Sequence, residues 1–169
     1  MPSDRAFVNG RNQIIADVGR MVQRWHVMQK HQKNMLLETS LERAAERLGD
    51  VTGPVMNRYY ASHPEARASF DEHGLGNASK LEAEMVESAL YCLMNWFDRP
   101  EEIRIMFGST VPHHEDTLNV SSDWFSGLVD ALIAVIRDTV PVKQISELQI
   151  LQEIHEGLGR LIEEARISS

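Results

Sequence analysis

Cysteine is all but missing: Cys92 is the only one in 169 residues. A single chain can therefore form no disulfide and no cysteine-based zinc cluster, so any metal would have to rely on histidine, methionine or carboxylate. Long hydrophobic runs are missing as well, and no stretch approaches the roughly 20 apolar residues that cross a bilayer as a helix. The first 34 residues lack the uninterrupted apolar core and small-residue cleavage site of a secretory leader, because Arg20, Arg24 and His26 interrupt them. The expectation is a cytoplasmic protein. Positive charge is in deficit, with 17 Lys and Arg against 25 Asp and Glu for a net charge of −8. That balance disfavours attraction to nucleic-acid phosphates or to anionic lipid, and no basic patch is obvious, so neither nucleic acid nor membrane is an expected partner. The chain also has no phosphate-binding glycine loop, no catalytic triad and no Cys/His zinc spacing. No Glu-x-x-His motif occurs, which argues against a di-iron carboxylate bundle despite Glu82, Glu84 and Glu87.

What remains is a globular composition, 43% hydrophobic and 25% charged, on a chain long enough for one domain with an extension. Period-two alternation is absent, whereas apolar residues recur at steps of three and four, which predicts an all-α fold. A first helix is expected from about Arg11 to Lys33, with Ile14, Val18, Met21, Trp25 and Met28 in one heptad-like stripe. The polar stretch Gln29 to Asn34 reads as a linker, dividing an extension at 1–34 from a body at 35–169. Thr39 or Ser40 reads as the cap of a short helix that stops at Gly49, and Pro54 suits the first turn of the next, which ends near Pro64. Further helices follow over Ala78 to Asp98, from Glu101, from Ser121 or Ser122 to Val140, and over Leu148 to Ile167. Pro112 is expected to break or kink the helix from Glu101, since it cannot donate to the helical ladder.

Two segments carry a resemblance. Arg58-Tyr59-Tyr60-Ala61-Ser62-His63-Pro64-Glu65 followed by Phe70 resembles the globin signature in which a helix ends at His-Pro-Glu and a phenylalanine follows. His114-Glu115-Asp116-Thr117-Leu118-Asn119-Val120, then Asp123-Trp124-Phe125, is similar to the globin stretch that runs from the proximal histidine into the next long helix. The resemblance covers roughly Met35 to Ser169 and implies a globin-like helical fold, of the bacterial single-domain kind, with an additional N-terminal helix.

It also implies haem b (iron protoporphyrin IX), with His114 as the iron ligand and Phe70 flat against the porphyrin. Met85 and Ala89 are implied on the distal helix, Met56 and Tyr60 on the helix facing them, and Val120 and Phe125 after the proximal histidine. The sequence departs from the family in having Thr110 one turn before His114, where leucine is usual, and in having Pro112 beside it. His113 is therefore a competing ligand. The ring nitrogen of His114 that does not face iron is expected to donate to a backbone carbonyl near Thr110 or to a nearby side chain.

Thioether side chains at the aligned distal positions leave three readings open. The pocket is apolar and favours CO or NO, Met85 is a sixth iron ligand, or His73 or Tyr60 reaches in as a donor. The function implied is binding of a diatomic gas (O2, NO or CO) for sensing, scavenging or transport. A haem-free globin-like interaction or regulatory domain is the alternative. So is a redox enzyme of the NO dioxygenase or peroxidase kind, which would need a separate reductase because the chain has no flavin or nicotinamide domain. Cys92 and His155 are assigned no chemistry. His26 and His31, five apart, do not share a helical face well enough for a metal site, and the N-terminal stripe suits pairing with a second copy or folding back on the body.

Overall fold

The computed structural model describes residues 4–167, with side chains from residue 16 onward; Ile14, the first residue of the expected stripe, lies outside the described side chains. Among the described residues there are seven helices and no strand, as the three-and-four periodicity predicts. They are α1 (Asp4–Leu48), α2 (Thr52–Ser62), α3 (Ala66–His73), α4 (Ala78–Met94), α5 (Pro100–Asp116), α6 (Ser122–Thr139) and α7 (Ile145–Ile167).

The chain divides into two compact units, Met1–Met35 and Leu36–Ser169. The boundary falls inside α1, which corrects the expected linker and the separate short helix after it. No glycine or proline occurs between Gly19 and Gly49, and Gln, Lys, Met, Leu, Glu and Ala fill most of that interval, so nothing interrupts helix propagation. Ser40 is not a cap: its hydroxyl lies 3.0 Å from the Leu36 carbonyl and 2.9 Å from Glu147, sharing its one proton between these two acceptors, the pattern of a mid-helix serine. The helix ends where Gly49 takes φ +65°, a conformation cheap only without a Cβ.

In the second unit α6 packs against α2, α4, α5 and α7, while α5 lies along α7 and α3 along α4. Leu132 and Ile136 of α6 and Leu151, Ile154 and Leu158 of α7 are wholly buried, at the i, i+4 and i+3 spacings that put one stripe on one face. Two glycines set the approach of neighbouring elements. A Cβ on Gly127 of α6 would lie 2.3 Å from His63 Nε2, and one on Gly157 of α7 would lie 2.1 Å from Trp96 Cζ2. Asn77 caps α4 by accepting from the Lys80 amide at 3.1 Å, and Ser121 caps α6 by accepting from the Asp123 amide at 3.1 Å.

Pro112 does not break α5, which continues to Asp116. The ring removes one donor only, and the carbonyl it deserts belongs to Gly108, an exposed residue beside exposed Ser109, where water can take the place of the missing bond. Keeping α5 whole matters for the site, because it fixes the two histidines that follow the proline.

Candidate functional site

The buried face of α5 is written in steps of four and three: Ile103, Phe107 and Val111, each at most 4% exposed, then His114. The last of these continues the stripe inward and is half-buried, whereas His113, about 100° round the helix, is exposed, although it too contributes to the cavity wall. His114 Nδ1 lies 2.7 Å from the Thr110 carbonyl oxygen, the contact expected from sequence. Nδ1 carries the proton in that bond, so Nε2 is left with its lone pair. Phe125 of α6 meets the imidazole edge-on at 5.3 Å, and Phe107 meets Phe125 in the same way at 5.5 Å. Two aromatic contacts and a backbone bond thus fix the ring's plane.

His114 forms part of the wall of a cavity of about 370 Å3, within the size range of small-molecule pockets. The helices contribute to it in turn. Phe70 and His73 come from α3, Met85, Ala89 and Cys92 from α4, Met106, Phe107 and Thr110 from α5, Leu118 and Val120 from the turn before α6, and Trp124 and Phe125 from α6 itself. The wall is mainly hydrocarbon, sulfur and aromatic. Of the eight residues expected at the site, the structure brings six together here: Phe70, Met85, Ala89, His114, Val120 and Phe125.

Met56 and Tyr60 are not among them. Met56 is 4% exposed within the core, and the Tyr60 hydroxyl is spent on Glu82, to which it donates at 2.7 Å, with the Arg67 guanidinium 4.2 Å above its ring. Both side chains of α2 are buried without lining the cavity, Tyr60 packing edge-on at 5.9 Å behind Phe70 of its wall. Tyr60 therefore does not reach in as a donor.

Tyr59 lines the cavity, is 3% exposed, and has no hydrogen-bond partner for its hydroxyl among the described residues. Its ring is held by Tyr60 and His63 at 5.4 Å each and by Phe70 at 6.2 Å. Burial, with Glu65 adding to it, raises the phenol well above its ordinary range, so at neutral pH the group is a protonated donor. The signal was present in the sequence, since Val55 and Tyr59 are one turn apart, but two adjacent tyrosines cannot be sorted between two buried flanks without the neighbouring helices.

His73 also lines the cavity, with Nδ1 2.8 Å from the Ser69 carbonyl and 3.2 Å from the Ser69 hydroxyl. Cys92 is buried at the wall, and desolvation pushes its thiol up to about 11, which keeps it neutral and unreactive at physiological pH. His155 of α7 is bonded to Asp130 of α6 at 2.6 Å and does not line the cavity. Among the described residues no group of three or more His, Cys, Asp or Glu could hold a metal ion by itself. A metal at this cavity would thus have to bring most of its own ligands.

Searches of protein-family models, of curated proteins and of solved structures returned no match to this chain. The function has to be argued from the cavity.

Proposed function

We propose that the cavity is a haem pocket of the globin kind, in which His114 ligates the iron, and that the protein binds a diatomic gas. The observation that carries the reading is His114 itself: a half-buried imidazole on an apolar cavity, with Nδ1 tied to the Thr110 carbonyl at 2.7 Å and Nε2 left over. A haem asks a protein for one axial donor and an apolar slot, because four of the iron's ligands come from the porphyrin. The donor set fits that request and does not fit a bare metal ion, which would need several side-chain ligands.

In this reading His114 would hold the iron, and Phe70, Met85, Ala89, Val120 and Phe125 would enclose the macrocycle. When bound, the haem supplies an iron position at which O2, NO or CO can bind. The chain's own residues do the rest. The Thr110 carbonyl makes the His114 imidazole more electron-rich by accepting its Nδ1 proton, as outer-shell acceptors do for metal-bound histidines. Phe107 and Phe125 keep water from that ring. Tyr59 is a neutral donor at the wall whose hydroxyl has no hydrogen-bond partner among the described residues, and a buried donor of this kind favours polarised ligands such as O2 over apolar CO. The globin-like signature at His63-Pro64-Glu65 and Phe70 supports the same reading independently of His114.

The test is a visible spectrum of the purified full-length protein, reconstituted with haem, in ferric, ferrous and CO-bound states, beside His114→Ala and His113→Ala. Stoichiometric haem with a Soret band that changes in His114→Ala and not in His113→Ala is the expected result. A wild-type protein that takes up no haem, while remaining folded by circular dichroism, would leave the cavity to another apolar ligand.

A further inference from the structure

The net charge of −8 on the whole chain conceals a segregation. Residues 1–35 hold six Lys and Arg and two Asp, a net charge of +4 with no glutamate, and the rest of the chain is then −12. The positive unit is helical throughout its described residues and carries an apolar stripe. Val18, Met21, Val22, Trp25 and Met28 fall within about 120° of arc on a helix that turns about 100° per residue. All five are exposed, from 48% at Val22 to 69% at Met21. On the same helical projection Arg24 borders the stripe on one side and Lys33 on the other, with Arg20 and Lys30 further round.

We infer that this N-terminal helix lies on anionic phospholipid bilayers, with Val18, Met21, Val22, Trp25 and Met28 dipping into the interface and the Lys and Arg side chains meeting the headgroups. A face rich in Lys and Arg, on which Val27 is the exposed apolar exception at 60%, set opposite an aromatic and aliphatic one is the composition of a helix that lies in the membrane plane. Its low overall hydropathy fits lying rather than crossing, and no helix among the described residues is long and apolar enough to cross. Charge complementarity decides between this surface and a second copy of the helix. Two copies would bring +4 against +4. In the heptad register that puts Val18 and Trp25 at a and Met21 and Met28 at d, Arg24 at g would face Gln29 at e in a parallel pair, with no carboxylate to answer it. Asp17, the one acid of the unit whose side chain is described, is already engaged by Arg20 of its own helix. This inference is independent of what the cavity binds.

The experiment is co-sedimentation of the full-length protein with vesicles of phosphatidylcholine alone and of phosphatidylcholine mixed with phosphatidylglycerol, at low and at physiological ionic strength. Binding to the mixed vesicles only, weakened by salt, is the expected result. Arg24→Glu, which changes the charge by two, should weaken partition about thirtyfold, at about fivefold per charge near an anionic surface. Trp25→Asp should abolish binding, with the thermal unfolding of the body unchanged as a check that the chain remains folded. No sedimentation with mixed vesicles at low salt, or equal binding to both kinds, overturns the inference. So does a dimer in sedimentation equilibrium that Trp25→Asp dissolves while the wild type binds no vesicles, since the stripe would then be covered by a second copy.

Discussion

Glu147 stands in the first turn of α7 with only 4% of its surface exposed, and its carboxylate is answered by two side chains of α1. Arg43 reaches both oxygens, one of them at 3.1 Å, and Ser40 donates at 2.9 Å. Replacing Arg43 by alanine leaves a carboxylate in a site built for an ion pair. Stranding one partner of a fully buried pair costs about 3–5 kcal/mol. The Arg43 side chain is 19% exposed and Ser40 still donates, so the lower end applies, about 3 kcal/mol. That is a large share of a stability that for most domains is about 5–15 kcal/mol.

The double variant Arg43→Ala/Glu147→Gln removes the stranded charge together with its partner and should recover about 1–2 kcal/mol of that loss. The pH dependence follows from the same contacts. The Arg43 hydrogen bond, with help from Ser40, holds the Glu147 carboxyl below its ordinary value against the opposing effect of burial. A depressed carboxylate contributes stability above its unfolded pKa of about 4.3 and loses it as pH falls through the lower folded value. In Arg43→Ala that depression is gone, so the deficit of the variant should shrink as pH drops below about 4. Urea unfolding followed by far-ultraviolet circular dichroism at neutral and acidic pH measures all of these. Equal losses in the single and double variants, or a deficit that does not change with pH, would refute the account of Glu147 as a charge held by Arg43.

Three further outcomes are expected. Gly157→Ala should destabilise by about 1–3 kcal/mol, because its Cβ would meet the Trp96 indole at 2.1 Å, whereas Gly159→Ala, with nothing within 4 Å, should stabilise by up to about 1 kcal/mol through helix propensity; urea midpoints of the two variants check the contrast. Asn77→Ala should cost about 1 kcal/mol by leaving the Lys80 amide uncapped at the start of α4, and hydrogen exchange at that end of the helix should quicken. In haem-loaded protein, Tyr59→Phe keeps the ring contacts to His63 and Phe70 and deletes only the hydroxyl. By stopped-flow, O2 should then leave about fivefold faster, the worth of one hydrogen bond of about 1 kcal/mol, with CO much less affected; equal O2 rates would remove Tyr59 from that role.

The periodicity of the chain determined a good deal by itself. Apolar residues at three and four, with caps at Asn77 and Ser121 and a stop at Gly49, are local signals, and they set the helical class and most boundaries because propensity and capping act within a few residues. The stripe Ile103, Phe107, Val111, His114 was likewise legible once α5 was known to be unbroken. Two boundaries went astray for the opposite reason. Pro112 looked like a break because its lost hydrogen bond was counted without asking whether the deserted carbonyl could reach water. Ser40 looked like a cap because its real partner, Glu147, lies 107 positions away.

The cavity shows the same division. Phe70, Met85, Ala89, His114, Val120 and Phe125 were nameable from sequence, but which of two adjacent tyrosines faces inward was not. Tyr59 and Tyr60 are equally buried neighbours on one helix, and only the packing of α2 against the helices around it, with Glu82 in place to take the Tyr60 proton, turned Tyr59 to the cavity. A local code can say that a side chain will be buried. Where it points depends on neighbours distant in the chain, and that was left to the tertiary structure.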